Sequence, residues 1–248
     1  MKSLLKMTRM EAKLFLRDPA SAFFSLIFPL IYLFMYGMIS GGNQPTPMYA
    51  GRGTIDAAIP SLTAVIISMT GLMSITITLT TYREKGILRR LRTTPVTPLV
   101  ILTAQVIVIF AMTCLGMLLL IAAGKLVYHV RFEGNAFSVL AGFILGSLSF
   151  FGIGFLLAGS MSTVRSAWTV AMVLLYPMLF LSGAFFSVNL LPTIVQKVSV
   201  FLPLTYVVNL LQGLWIGEPW SSHLLDICVL VGILLLGILI TAKTFRWE

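Results

Sequence analysis

Tyr82-Arg83-Glu84-Lys85-Gly86-Ile87-Leu88-Arg89-Arg90-Leu91-Arg92 separates two long apolar runs, and its reading decides the fold of the whole chain. It holds five of the seventeen Lys and Arg residues in a chain that is only 10% charged. A segment so charged does not sit in hydrocarbon; it protrudes. Basic excess marks the cytoplasmic face of membrane proteins, so the run is expected to protrude there, within reach of a partner that pushes on it.

Working outward, six stretches approach or exceed the roughly 20 residues that cross a ~30 Å hydrocarbon layer. They are 22–40, 57–81, 99–123, 136–160, 167–187 and 224–242. Backbone groups in lipid must be satisfied within the segment, so these runs read as helices. They are continuously apolar and do not alternate, which argues against a membrane barrel. With 58% hydrophobic residues in 248, little chain is left for a soluble domain. The fold class is an all-α membrane protein, read as one domain over 1–248.

The formal net charge of +9 raises nucleic acid as a partner. The positions of the charges argue for a membrane instead. With both termini inside, thirteen Lys and Arg residues fall on the cytoplasmic side and four on the outside, namely Arg52, Lys125, Arg131 and Lys197. The reverse orientation would invert that bias. Residues 2–18 mix Leu4, Leu5, Met7, Leu14, Phe15 and Leu16 with five basic residues, as an amphipathic helix on an anionic membrane surface does. No cleavable leader is expected, since the chain opens on a charged stretch and the first apolar run is long enough to span. Cys114 and Cys228 fall inside spans and make neither a disulfide framework nor a metal-ligand spacing.

Several constellations are candidates for function. Residues 188–222 form a semi-apolar stretch broken by Pro192 and Pro203, with pieces too short to span. It reads as a re-entrant hairpin from the external face, or as a loop on the lipid surface. Thr70, Ser74 and Thr78 lie at i, i+4, i+8 on one face of the second span. Such a stripe lines a substrate path, holds helices together or back-bonds to its own carbonyls. Gly142 and Gly146, like Gly37 and Gly41, form GxxxG and read as close packing. Phe180, Phe185 and Phe186 cluster at the end of the fifth span, as an apolar gate, as a lipid-facing patch or as core.

Other chemistry is missing. No chain of carboxylates or histidines crosses the bilayer as a proton relay requires. Asp226 reads as interfacial, and His129 and His223 as isolated surface residues. No GxxxxGK[ST] motif is present, so the chain is expected to use no ATP itself and to bind no cofactor or metal. No GxSxG or HExxH suggests a hydrolase, so no catalytic residue is assigned. The halves show no repeat of the kind that builds secondary transporters.

Two local patterns carry a resemblance to the ABC type-2 export permeases. The first is Arg83-Glu84-Lys85-Gly86 followed by Leu91-Arg92-Thr93-Thr94-Pro95. The second is Leu181-Ser182-Gly183-Ala184-Phe185-Phe186, then Leu191-Pro192, then Pro203-Leu204-Thr205-Tyr206. The chain departs from the family at Arg89, where relatives often carry an acidic residue, and at Ser187-Val188, where proline is frequent. The resemblance implies six spans per subunit, an interfacial helix at 1–21, a coupling helix at 82–94 and external re-entrant helices within 188–222. It implies a second permease copy, identical or a paralogue, two copies of a separate ABC ATPase that binds ATP and Mg, surrounding membrane lipid, and no nucleic acid. Arg83, Glu84, Lys85, Arg89, Arg90 and Arg92 would meet the ATPase. Thr70, Ser74 and Thr78 would face substrate, and Phe185 and Phe186 would form the external gate. The expected function is outward export of amphipathic or hydrophobic molecules such as drugs, lipids or lipopeptides, as in multidrug efflux and antibiotic resistance. The alternative is a resistance or signalling subunit of the same fold that moves nothing.

Overall fold

The computed structural model describes residues 2–46, 51–87, 98–186, 188 and 192–244. These residues are almost entirely helical, with one isolated bridge between Pro45 and Gly53. Helix α1 is Lys2–Arg17. Helix α2 runs on from Pro19–Ala22 through a π-helical turn, Phe23–Ile27, into Phe28–Ile39. Helix α3 is Thr54–Glu84, with a second π-helical turn at Thr70–Ile75. Helices α4 (Pro98–Tyr128), α5 (Ala136–Ser160) and α6 (Val164–Leu181) follow. Short helices α7 (Thr193–Ser199) and α8 (Pro203–Trp215) meet at 91° before α9 (Leu224–Thr244) closes the chain.

Among the described residues five helices (α3, α4, α5, α6 and α9) are long and apolar enough to cross a membrane. The apolar part of α2, Phe23–Ile39, is shorter, but Pro19–Ala22 extends it to a length of about 31 Å at 1.5 Å per residue. The chain is therefore a multi-pass, all-α membrane protein.

The hub is α3. In its most apolar window 89% of the residues are buried by the rest of the protein, against 17% for α9 and 28% for α4 and α6. Ile55, Ile59, Leu62, Ile66, Leu72, Ile75 and Leu79 have essentially no exposed surface. Helices α2, α4, α5, α6 and α8 all pack against it. Its start is held from another segment. Asn43 Oδ1 accepts from the Ile55 and Asp56 backbone N–H groups, and Asn43 Nδ2 donates to Asp56 Oδ1 at 2.8 Å. Asp56 also accepts from the Gly53 and Arg131 backbones, so its buried carboxylate is well supplied with donors.

Small residues set the closest helix contacts. Gly152 of α5 lies against Gly237 of α9, and Gly71 of α3 against Phe150 and Gly154 of α5. Gly142 and Gly146 admit Leu214, Leu210 and Val207 of α8, which is the packing role expected of that motif. Gly37 gives way to the Tyr128 ring. Gly41 packs against nothing: at φ +71° it turns the chain out of α2, and the Gly42 N–H reaches back to the Gly37 carbonyl at 2.8 Å.

The span limits differ from those expected. Helix α3 continues past 81, so Tyr82, Arg83 and Glu84 are its last turn rather than the start of a separate helix over 82–94. Helix α4 continues past 123 through Lys125 to Tyr128. Charged side chains at a helix end reach water along their own stems, so a helix need not stop where its apolar run does. Helix α6 ends six residues before 187, at Leu181, where Gly183 (φ +89°) reverses the backbone.

Candidate functional site

The last turn of α3 clamps the α5–α6 corner. Arg83 Nη1 donates to the carbonyls of Met161 (3.0 Å) and Gly159 (3.4 Å), just where α5 runs out of hydrogen-bond partners. Glu84 Oε2 accepts from the Val164 N–H at 2.6 Å. That N–H is the first of α6, and a carboxylate there is favoured by the helix dipole. Thr163 caps the same helix by accepting from Ser166 N–H. The two charges that head the run thus tie three spans together at one end. Lys85 is exposed beyond them. Arg89, Arg90 and Arg92 lie outside the described residues, as do 88–94 of the expected coupling helix.

The same end carries a cavity of about 400 Å³ between α1, α3 and the start of α4. Glu11 of α1 reaches into it, and the Tyr82 hydroxyl lies 2.8 Å from each carboxylate oxygen. Burial raises the Glu11 pKa above the ordinary carboxylate range, and the Tyr82 hydrogen bond offsets part of that rise.

The hydroxyl stripe does not open onto one space. Thr70 is fully buried; its hydroxyl back-bonds to the Ile66 carbonyl at 2.8 Å and lies 3.0 Å from the Thr113 hydroxyl of α4. Ser74 lines a small pocket of about 20 Å³ with Phe24 and Trp168, and Thr78 lines the 400 Å³ cavity. The π-helical turn at Thr70–Ile75 shifts the register between these residues, so a straight-helix count no longer places them on one line.

At the opposite end a cavity of about 240 Å³ lies between α2, α3, α8 and the turn after α6. Phe185 lines it and stacks on Tyr32 at 4.5 Å between centroids, with Phe180 edge-on to Phe185 at 5.7 Å. Phe186 is 52% exposed and does not line it. Its polar wall is Ser61, Asn209 and Gln212, with Gln212 Nε2 donating to Ser61 Oγ at 2.7 Å. Helix α8 is buried on α3, α5 and α9, while the side chains of Ile194 in α7 and of Phe201 just after it are exposed.

Near this end lies a group the sequence reading missed. His223 is not a surface residue: it is 8% exposed, with Nδ1 2.9 Å from Asp226 Oδ2 and Nε2 2.9 Å from Glu218 Oε2. Asp226 is likewise buried within the protein. The ring fits because residue 213 has no side chain; a Cβ there would lie 1.9 Å from His223 Nε2. The i, i+3 spacing of His223 and Asp226 at a helix start was the available signal. Gly213→Ala is expected to displace the ring and cost about 1–3 kcal/mol, read as a lower thermal midpoint in detergent. A midpoint equal to wild type would show that the ring is not held there.

A buried hub helix, a polar clamp at one end and an aromatic-lined cavity at the other define a polytopic membrane protein. Residues 2–215 match the ABC-2 type transporter family, and the chain belongs to that family. It is similar to the probable multidrug ABC transporter permease YbhS of Escherichia coli K12, 26% identical over 166 residues, which cover 64% of this chain and 42% of YbhS. YbhR of the same organism, also a probable multidrug ABC transporter permease, is 22% identical over 169 residues, covering 66% and 46%. Nodulation protein J of Rhizobium leguminosarum bv. viciae is 38% identical over 64 residues, covering 26% and 23%. The chain spans less than half the length of these relatives.

Proposed function

We propose that this chain is the membrane subunit of an ATP-driven exporter that moves amphipathic or hydrophobic molecules outward across a bacterial-type cytoplasmic membrane. Both termini lie in the cytoplasm, which puts the Arg83–Glu84 clamp on the inside and the Phe185 cavity outside. Two permease copies, identical or paralogous, work with two copies of a separate ABC ATPase that holds the ATP and Mg; this chain supplies no cofactor and no catalytic group. Helix α1 lies on the inner leaflet as the interfacial element of a single domain over 1–248. The segment 82–94 couples to the ATPase, and the region 188–222 is re-entrant from outside.

The clamp is the observation that carries this reading. A push on the charged run reaches α5 and α6 through Arg83 and Glu84, and reaches the rest of the bundle through α3. Lys85, Arg89, Arg90 and Arg92 supply the charge that an acidic ATPase surface would meet. Phe185, with Phe186 beside it, acts as the outer gate by excluding water, and Thr70, Ser74 and Thr78 serve the inner half of the path. The names of the two similar permeases support drug-like substrates. The test is ATPase activity of the complex with the ABC ATPase encoded beside this chain, in lipid nanodiscs, titrated with amphipathic drugs and lipids. Stimulation by a subset of them is expected. An ATPase that binds stably and ignores every compound would favour the non-transporting reading, and failure to bind any ATPase would remove the proposal.

A further inference from the structure

We propose that the cavity between α1, the last turns of α3 and the start of α4 binds the ammonium group of an amphiphilic amine, with Glu11 as its counter-ion and Gln105 as its second polar partner. Both residues line that cavity. Glu11 is 4% exposed, and its hydrogen bonds run to Tyr82. A phenol has one proton to give, while an ionised carboxylate has about four acceptor sites, so among the described residues most of this carboxylate is left without a donor. Gln105 is 2% exposed, and neither Nε2 nor Oε1 has a hydrogen-bond partner among the described residues. A buried carboxylate short of donors and a buried amide short of both partners are each unfavourable alone. Two such groups on the walls of one cavity point to a ligand that completes them.

The chemistry of the walls selects that ligand. Among the described residues the charged groups lining the cavity are Glu11, Asp18 and Lys85, and Glu11 forms no ion pair among them, which favours a cation at its carboxylate. Ca²⁺ or Mg²⁺ would want six or more oxygen ligands. An ammonium carries three N–H donors, enough for the Glu11 carboxylate and the Gln105 carbonyl, and its own chain occupies the remaining direction. Phe15, Ile77 and Ile109 give that chain an apolar wall. The Gln105 NH₂ is left to donate to an oxygen close to the amine, as in an aminoalcohol or a phosphoethanolamine headgroup. A lipid amine or a free amphiphilic amine supplies this same chemistry. The inference deepens the export reading by naming what enters at this end, but its test needs no ATPase.

The test uses the full chain in phosphatidylcholine nanodiscs without nucleotide, with radiolabelled dodecylamine as the probe and dodecanol as its uncharged competitor. Saturable dodecylamine binding is expected, with dodecanol at least about tenfold weaker, as a charge-assisted hydrogen bond predicts. Glu11→Gln keeps an acceptor for Tyr82 and removes the counter-charge; it should weaken dodecylamine about tenfold and leave the residual dodecanol binding unchanged. Gln105→Leu, similar in size and without the amide, should weaken it several-fold and raise the thermal midpoint. Displacement by added phosphatidylethanolamine would assign the site to a lipid headgroup; no displacement would assign it to free amines. Equal binding of dodecylamine and dodecanol would overturn the proposal, as would wild-type affinity in the folded variants. If Glu11→Gln does not fold, Gln105→Leu decides: unchanged affinity overturns the proposal. Any of these failures leaves the export reading to its own assay.

Discussion

Glu84→Ala is expected to leave the permease folded and bound to its ATPase, with ATP hydrolysis continuing, while transport falls on the order of ten- to a hundredfold. The separation follows from where Glu84 sits. Its carboxylate is exposed and accepts from the first N–H of α6 at 2.6 Å. When the side chain is removed, water takes that N–H, as it does at most helix starts, so stability changes by less than about 1 kcal/mol. What is lost is the direct charge-assisted bond between α3 and α6, the link by which a displaced charged run would carry α6 with it. Glu84→Gln keeps an acceptor without the charge and should fall between wild type and alanine. The measurement is substrate efflux per ATP hydrolysed in proteoliposomes. Wild-type coupling in the alanine variant would mean that motion does not pass through this bond.

The reason that bond could not be read from the sequence is distance along the chain. Glu84 and Val164 are 80 residues apart, and nothing about the turn at 161–163 marks it as a partner. The charged run itself was legible, because its composition forbids burial in lipid. So were the spans, whose apolar runs have one stable answer in a bilayer. Their ends were not: Tyr82–Glu84 and Lys125–Tyr128 stay helical because charged and aromatic side chains serve a helix end in the interface. The hydroxyl stripe was legible only as a face of an ideal helix. Thr70, Ser74 and Thr78 share that face by count, but a π-helical turn, which the sequence does not announce, adds a residue just there, where Gly71 packs on α5. The His223 group was hidden because it depends on a space left by Gly213, ten residues earlier on another helix.

Those close glycine contacts bear on how the bundle moves. If α3 and α5 could slide apart, a push at Arg83 and Glu84 would be lost between them. Gly71 and Gly154 bring the two backbones together, and Thr76 adds a hydroxyl bond to the Gly154 carbonyl at 3.1 Å. A pair joined this closely moves as one body, because interior packing leaves no slack to absorb a displacement.

That closeness yields the largest structural effect. Gly154→Ala would place a Cβ 2.1 Å from the Gly71 carbonyl oxygen and 3.1 Å from Ile75 Cβ. The first of these is backbone, held by the π-helical turn, so no rotamer change relieves it. The helices must separate, losing the Gly71–Phe150 contact and the Thr76 hydrogen bond together. The expected cost is about 3 kcal/mol, at the upper end of overpacking, or a fall of about 6–12 °C in thermal midpoint for a chain of this size. Gly232→Ala is the control. It lies within α9 with nothing within 4 Å of the added methyl, so the better helix propensity of alanine should hold or raise the midpoint by up to about 1 kcal/mol. Fluorescence-detected size exclusion after heating in detergent separates the two. Equal midpoints for both variants would show that α3 and α5 have room to spare, and a rigid α3–α5 pair could then not be the path of motion.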